Sequence, residues 1–241
     1  MCTVFIDDFR KEIRKVNKKI SVAIDGPAGA GKSTIARRLA KELGFYYVDT
    51  GAIYRTVAYF FDLWGISPKD LDGITRYIDE LTIGIEYDAE GLQHMIMNGM
   101  DVTADIRTQE IGQKASLVSA HAIVRDLLLD MQREVARKHN VIMDGRDIGT
   151  VVLPKATVKI FLTASPEVRA KRRTNELAAK GQKADYAQIL KEIQQRDYQD
   201  THREIAPLKM ARDSMKLDTS EMDIDGVIAA IKEIVAKKVA L

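Results

Sequence analysis

Short apolar runs alternate with longer stretches of helical spacing through most of the chain. Residues 20–24 form a β-rich apolar run, followed by a glycine-rich loop at 26–31 and a helical pattern to about Leu43. Residues 46–48 read as a second strand, and a helix is expected over 52–63. Three further runs, 141–143, 158–162 and 215–217, are each separated from the next by helical pattern. Buried strands alternating with helices predict parallel βαβ units and a doubly wound sheet with helices on both faces. Residues 83–104 break the rhythm. Ile83, Ile85 and Tyr87 alternate, 88–91 reads as a turn, and Met95 and Met97 precede a turn-like Asn98-Gly99. A small antiparallel hairpin unit inserted in the α/β chain is the expectation. At the C-terminus Ile224, Val227, Ile228, Ile231 and Val235 form a stripe, with Asp223 and Lys237-Lys238 placed to suit a helix dipole. At the N-terminus Ile6, Phe9, Ile13 and Val16 suggest an amphipathic helix in an extension over 1–19, with no function assigned to it.

Composition narrows the class. The chain has 241 residues, 46% of them hydrophobic and 30% charged, which suits one globular α/β domain with an insertion. A net charge of +2 means that any functional positive charge must be local. One cysteine, Cys2, provides neither an intramolecular disulfide nor a cysteine-based zinc site. No apolar run reaches the roughly 18 residues of a membrane span, and charges interrupt the first residues where a signal peptide would be apolar. A cytoplasmic protein is expected, with no membrane and no nucleic acid among its partners.

The sharpest signal is Gly26-Pro27-Ala28-Gly29-Ala30-Gly31-Lys32-Ser33, followed by Thr34. It matches G-x-x-x-x-G-K-[ST] in full and lies between a strand and a helix. Such a loop wraps a β-phosphate with backbone N–H groups, and the helix N-terminus adds partial positive charge. Lys32 can bridge the β- and γ-phosphates, and Ser33 can offer its hydroxyl to Mg²⁺. The motif predicts a nucleoside triphosphate without saying what is done with it. A guanine-reading Asn-Lys-x-Asp is missing downstream, since the one Asn-Lys pair is Asn17-Lys18.

Later positions favour transfer to a small acceptor. The run 141–143 leads into Asp144-Gly145-Arg146-Asp147, and parallel strands end at the ligand crevice. Asp144 can stand behind the Mg²⁺ shell, with Arg146 and Asp147 at the mouth. Ser165 and Pro166 suit a helix start, after which Arg169, Arg172 and Arg173 share one face. Three like charges together want an anion between them, as in a lid over a triphosphate. Arg196, Asp200 and Arg203 lie at i, i+4 and i+7, which is either a second functional face or an ordinary surface ladder.

Four segments together resemble the bacterial cytidylate kinase family: 25–34, 49–55 (Asp-Thr-Gly-Ala-Ile-Tyr-Arg), 106–110 (Ile-Arg-Thr-Gln-Glu) and 144–152 (Asp-Gly-Arg-Asp-Ile-Gly-Thr-Val-Val). Residues 205–208 (Ile-Ala-Pro-Leu) extend the likeness, which covers roughly 20–238. The resemblance implies an α/β P-loop nucleoside monophosphate kinase fold. That fold has a five-stranded parallel sheet flanked by helices, a small antiparallel insertion and a helical lid. One domain over 20–241 would carry the acceptor-side insertion at about 65–110 and the lid at about 165–185. The activity implied is transfer of the ATP γ-phosphoryl to CMP or dCMP with Mg²⁺. The cytosine would meet Ser116, Arg125 and Asp147, and the 5′-phosphate Arg55, Arg146 and Arg203. Thr50 would cap the phosphate pocket, where the family often has Ser. The ribose would meet Asp200 with Arg196 nearby, and Arg172 and Arg173 would be lid arginines. Lys32, Arg146, Arg172 and Arg173 would then be the catalytic set, in a protein expected to be monomeric.

Two other classes are weighed. Residues 46–52 end in Asp-Thr-Gly-Ala, a pattern also found at the catalytic turn of an aspartic protease. That fold is largely β, and the helical pattern and phosphate loop argue against it. A nonenzymatic nucleotide-binding module would need neither an acceptor pocket nor a lid. Adenylate, uridylate and shikimate kinases share the loop, so the acceptor is the main open point.

Overall fold

The structure is a computed structural model and describes residues 19–239; the 1–18 part of the N-terminal extension lies outside the described residues. Strand β1 (Ser21–Asp25) leads through the phosphate loop into α1 (Lys32–Leu43). Strand β2 (Tyr46–Asp49) runs into α2 (Thr50–Leu63), and a short α3 (Leu71–Tyr77) opens the insertion. Its strands are β3 (Ile83–Tyr87), β4 (Gln93–Met97) and β5 (Met100–Asp101). Helices α4 (Gln109–Val118) and α5 (Ala122–Lys138) return the chain to β6 (Val141–Gly145). A wide helical turn over Ile148–Val152 precedes β7 (Val158–Thr163), α6 (Pro166–Ala179), α7 (Tyr186–His202), β8 (Met215–Asp218) and α8 (Ile224–Val239).

The large sheet has the order β2-β6-β1-β7-β8 with every pair parallel. The five strand runs expected from the sequence are its five strands. Alternation along them splits the interior in two. Ala23, Val48, Val141 and Met143 face a core shared with α2, α4, α5 and the insertion. Val22, Ile24, Ile142, Val158, Ile160 and Leu162 face a core shared with α1 and α8. The central strands β1, β6 and β7 are buried on both faces and read as largely apolar runs, whereas the edge strand β8 is mostly exposed. The stripe on α8 seats Val227, Ile228, Ile231 and Val235 in the second core.

The small sheet has three strands, one more than the expected hairpin. Asn98 and Gly99 both have positive φ, the geometry of a two-residue primed turn, and pair Met97 with Met100 across it. The third strand is only two residues long and carries no apolar alternation to announce it. Met95 and Met97 point into the first core. Helix α2 starts two residues earlier than expected, because Asp49 caps it by accepting the Ala52 N–H at 2.9 Å. Among the described residues no helix is long and apolar enough to cross a membrane.

Candidate active site

Strand β1 lies between β6 and β7, so the sheet order reverses beside the phosphate loop and leaves a crevice at the strand C-termini. The loop is packed hard onto the sheet. Gly26 has φ +150, and a Cβ there would lie 1.9 Å from the Leu162 carbonyl oxygen of β7. Gly31 ends the loop as the left-handed N-cap of α1, which has no acidic residue in its first turn. That helix end carries its partial positive charge uncompensated.

Lys32 is buried and its Nζ donates to Pro27 O at 2.7 Å. Burial lowers its pKa well below the usual lysine value, and the Arg146 charge adds to this, against Asp144 and Asp200. Ser33 donates its hydroxyl to Asp144 Oδ2 at 3.0 Å, and Tyr47 donates to Oδ1 at 2.8 Å. Burial and the nearby Asp49 push Asp144 up to about 6, opposed by Lys32, Tyr47 and Ser33. A hydroxyl beside a carboxylate is the oxygen donor set that suits Mg²⁺ when phosphates complete the shell.

Ala28, Gly29, Lys32 and Ser33 of the loop motif share a cleft with Thr50, Arg55, Ser116, Arg146, Asp147, Arg196, Asp200 and Arg203. Helix α2 contributes Thr50, whose hydroxyl donates to Asp144 O at 2.7 Å, and Arg55, 3.9 Å from Asp49. The turn after β6 supplies Arg146 and Asp147. Asp25 fixes this turn by accepting the Ile148 and Gly149 N–H groups, each at 2.7 Å. Helix α7 supplies Asp200, which takes Arg146 Nε at 2.7 Å and the Ser116 hydroxyl at 3.2 Å. Burial opposes ionisation of Asp200, but Arg146 and Arg196 overcome it and hold its pKa below the usual value. The i, i+4, i+7 set on α7 is therefore part of the cleft and not a surface ladder.

Arg203 donates to Ser119 Oγ at 3.1 Å and Ala206 O at 2.8 Å, and its Nη2 lies 3.5 Å from Asp147 Oδ1. Arg196 Nε is buried with no hydrogen-bond partner. Burial and the Arg146 charge bring Arg196 down to about 10. Burial lowers Arg203 as well, against Asp147, and the Arg125 charge adds to it. Lys32 and Arg196 are thus both held near Arg146 at a cost to their charged forms. An anion among them relieves it.

Three expected residues stand elsewhere. Arg125 lies behind the cleft wall: it bonds Asp147 and Ser119 O and stacks over Tyr54 at 5.7 Å. Arg172 donates to the Thr219 carbonyl at 2.6 Å and to its hydroxyl at 3.2 Å. Arg173 pairs with Glu176 at 2.9 Å on an exposed face. The expected gathering of Arg169, Arg172 and Arg173 around one anion does not occur. Each has a protein acceptor of its own, so their repulsion is relieved within the fold. Arg169 is buried against Ala28 O, Ala164 O and Asp197.

The sequence reading missed Asp49, Tyr54 and Ser119 in the cleft wall, and Tyr47 behind Asp144. Helical spacing carried a signal for two of them: Tyr54 is four residues after Thr50 on α2, and Ser119 is three after Ser116. Nothing in the local pattern marks Tyr47.

The family model for cytidylate kinase matches residues 22–237. The chain belongs to the cytidylate kinase family. A cytidylate kinase of Lactobacillus johnsonii is 49% identical over 223 residues, covering 92% of this chain and 96% of that protein. One from Carboxydothermus hydrogenoformans is 49% identical over 217 residues, covering 90% and 97%. One from an Exiguobacterium species is 46% identical over 220 residues, covering 91% and 98%. These cytidylate kinases match over nearly their whole length, so the shared segments reach well beyond the phosphate loop.

Proposed function

We propose that the protein is an ATP-dependent kinase that transfers the γ-phosphoryl of ATP to CMP or dCMP, giving ADP and CDP or dCDP. One observation carries this reading. The phosphate loop and the Arg55, Arg146, Arg196, Asp200 and Arg203 set line one and the same cleft. A binding module needs the loop only.

In this reading the loop N–H groups and Lys32 hold the ATP phosphates. Ser33 and Asp144 would hold Mg²⁺, which when bound neutralises charge on the β- and γ-phosphates. Arg55, Arg146 and Arg203 bind the acceptor 5′-phosphate, Asp200 the ribose, and Ser116 and Asp147 the cytosine edge. Arg125 acts on the base through Asp147, which it holds from behind. The acceptor phosphate is already ionised near neutral pH, so no side chain has to act as a base. The residues align the two phosphates and keep out water. Arg172 and Arg173 enter only through closure of the connection between α6 and α7, in the expected lid region 165–185. The protein would work in the cytoplasm as a monomer.

The test is ADP release with Mg²⁺-ATP and CMP, dCMP, UMP, AMP or GMP in parallel. Preference for CMP and dCMP is the expected result. Preference for another monophosphate would reassign Ser116 and Asp147, and slow ADP release with none of them would return the chain to hydrolysis or binding alone.

A further inference from the structure

Arg169 is 3% exposed, and its guanidinium makes four hydrogen bonds to three separate segments. Nε donates to Ala164 O at 2.9 Å, at the end of β7. Nη1 donates to Ala28 O of the phosphate loop at 3.0 Å. Nη1 and Nη2 grip Asp197 of α7 end-on, at 3.0 and 2.5 Å. Asp197 directly follows Arg196 and lies three residues before Asp200, two of the residues that line the acceptor wall.

The peptide plane makes the loop contact consequential. In a trans peptide the carbonyl and the next N–H point in opposite directions. Fixing Ala28 O on Arg169 therefore turns the Gly29 N–H away from Arg169. The Arg169 side chain also runs alongside the loop there, its Cβ 3.4 Å from where a Gly29 Cβ would be. The fork on Asp197 likewise sets the rotation of α7 about its axis, since a two-bond contact fixes direction as well as distance.

We propose that Arg169 and Asp197 are positioning residues: a brace that holds the ATP-binding loop and the acceptor-binding face of α7 in register with each other. The proposal rests on the kinase reading of the cleft. Neither residue lines the cleft, so each acts through its neighbours.

The two ends of the brace fail differently, which gives the test. Asp197→Asn breaks the charged two-bond fork at the α7 end, leaving at most one neutral acceptor there, and leaves Arg169 on Ala28 O. The KM for CMP rises and kcat falls, together about tenfold to a hundredfold in kcat/KM, while the KM for ATP barely moves. Arg169→Lys removes the fork and its reach to both ends, so both KM values rise. A residue serving only the fold lowers the melting temperature without this split. Both variants are therefore melted first and assayed well below their transitions. Should Asp197→Asn fail to fold, Asp197→Glu keeps the charge and displaces the carboxylate, with the same split expected at smaller size. Equal losses for both nucleotides in the Asp197 variant, or wild-type KM values in both variants, overturn the brace. Wild-type protein run alongside separates the levels: an inactive wild type sinks the kinase reading, whereas an active wild type with unchanged variants sinks only the brace.

Discussion

Asp147 illustrates how one carboxylate serves two purposes. It balances Arg125 and Arg203, and burial nevertheless raises its pKa. Truncation to alanine would leave two buried cations without their partner, so Asp147→Asn is the cleaner probe. It keeps the shape but offers an amide where the cytosine amine needs an acceptor. The expected loss in kcat/KM for CMP is about tenfold to a hundredfold, the range of one buried hydrogen bond to a charged group, with ATP affinity retained. Unchanged CMP kinetics would remove Asp147 from the base-reading role. Lys32→Ala makes the complementary test on the ATP side. Transfer falls by about a hundredfold or more while the melting curve stays close to wild type. Asp25 lends itself to a pH measurement. Burial raises its pKa from 3.8 to about 6, against the two N–H groups it accepts. The folded state therefore holds the proton more tightly than the unfolded one. The resulting stability is present below about pH 4 and is lost as pH rises through about 6, roughly 3 kcal/mol in all. Asp25→Asn carries a constant cost from the N–H group it fails to satisfy but lacks this slope. Denaturant titrations at pH 4 and pH 7 should show the gap between variant and wild type closing at the higher pH.

At the scale of elements, Gln93 ties the insertion to the start of α2 at the cleft. Gln93 of β4 accepts the Asp49 N–H at 2.7 Å where β2 hands over to α2. Gln93→Ala leaves that buried N–H unpaired, at about 1–3 kcal/mol. Because the same handover places Thr50 and Arg55, the KM for CMP should rise along with the loss of stability. A stability loss without any kinetic change would make the insertion a passive cover. Elements of this kind mark where the sequence was readable. The parallel strands were, most clearly β1, β6 and β7, because burial on both faces leaves short apolar runs. The phosphate loop was, because its glycines answer a local backbone demand. The α7 set was readable in its spacing but not in its meaning, since a cleft face and a surface ladder have the same period. The Arg169 cluster misled for the reverse reason. Its spacing was right, but Asp197 and Thr219, the partners of Arg169 and Arg172, lie in different segments at distances along the chain that no local pattern encodes, while Arg173 turns to Glu176 three residues on in its own helix. Tyr47 and Asp144 meet only through sheet pairing.

Across the whole molecule, two cores hold one sheet, and the cleft opens along the edge where they meet. The ATP side is fixed by the loop between β1 and α1. On the proposed reading the acceptor side is built from α2, α4, the turn after β6 and α7. Residues 180–185, which join α6 to α7, carry exposed Lys180 and Lys183, and none of them lines the cleft. In a phosphoryl transferase the transferring group must be kept from water, so a segment has to close over it. The α6–α7 connection is the one at hand, since α7 already carries Arg196 and Asp200. Closure would shield its lysines. Trypsin should therefore cut at Lys180 or Lys183 in the free protein and be slowed most when ATP and CMP are both present. Each nucleotide alone should protect less, because neither spans the cleft. If both together leave the cleavage rate unchanged while transfer proceeds, water must be excluded without this segment, and Arg172 and Arg173 lose their route to the phosphates.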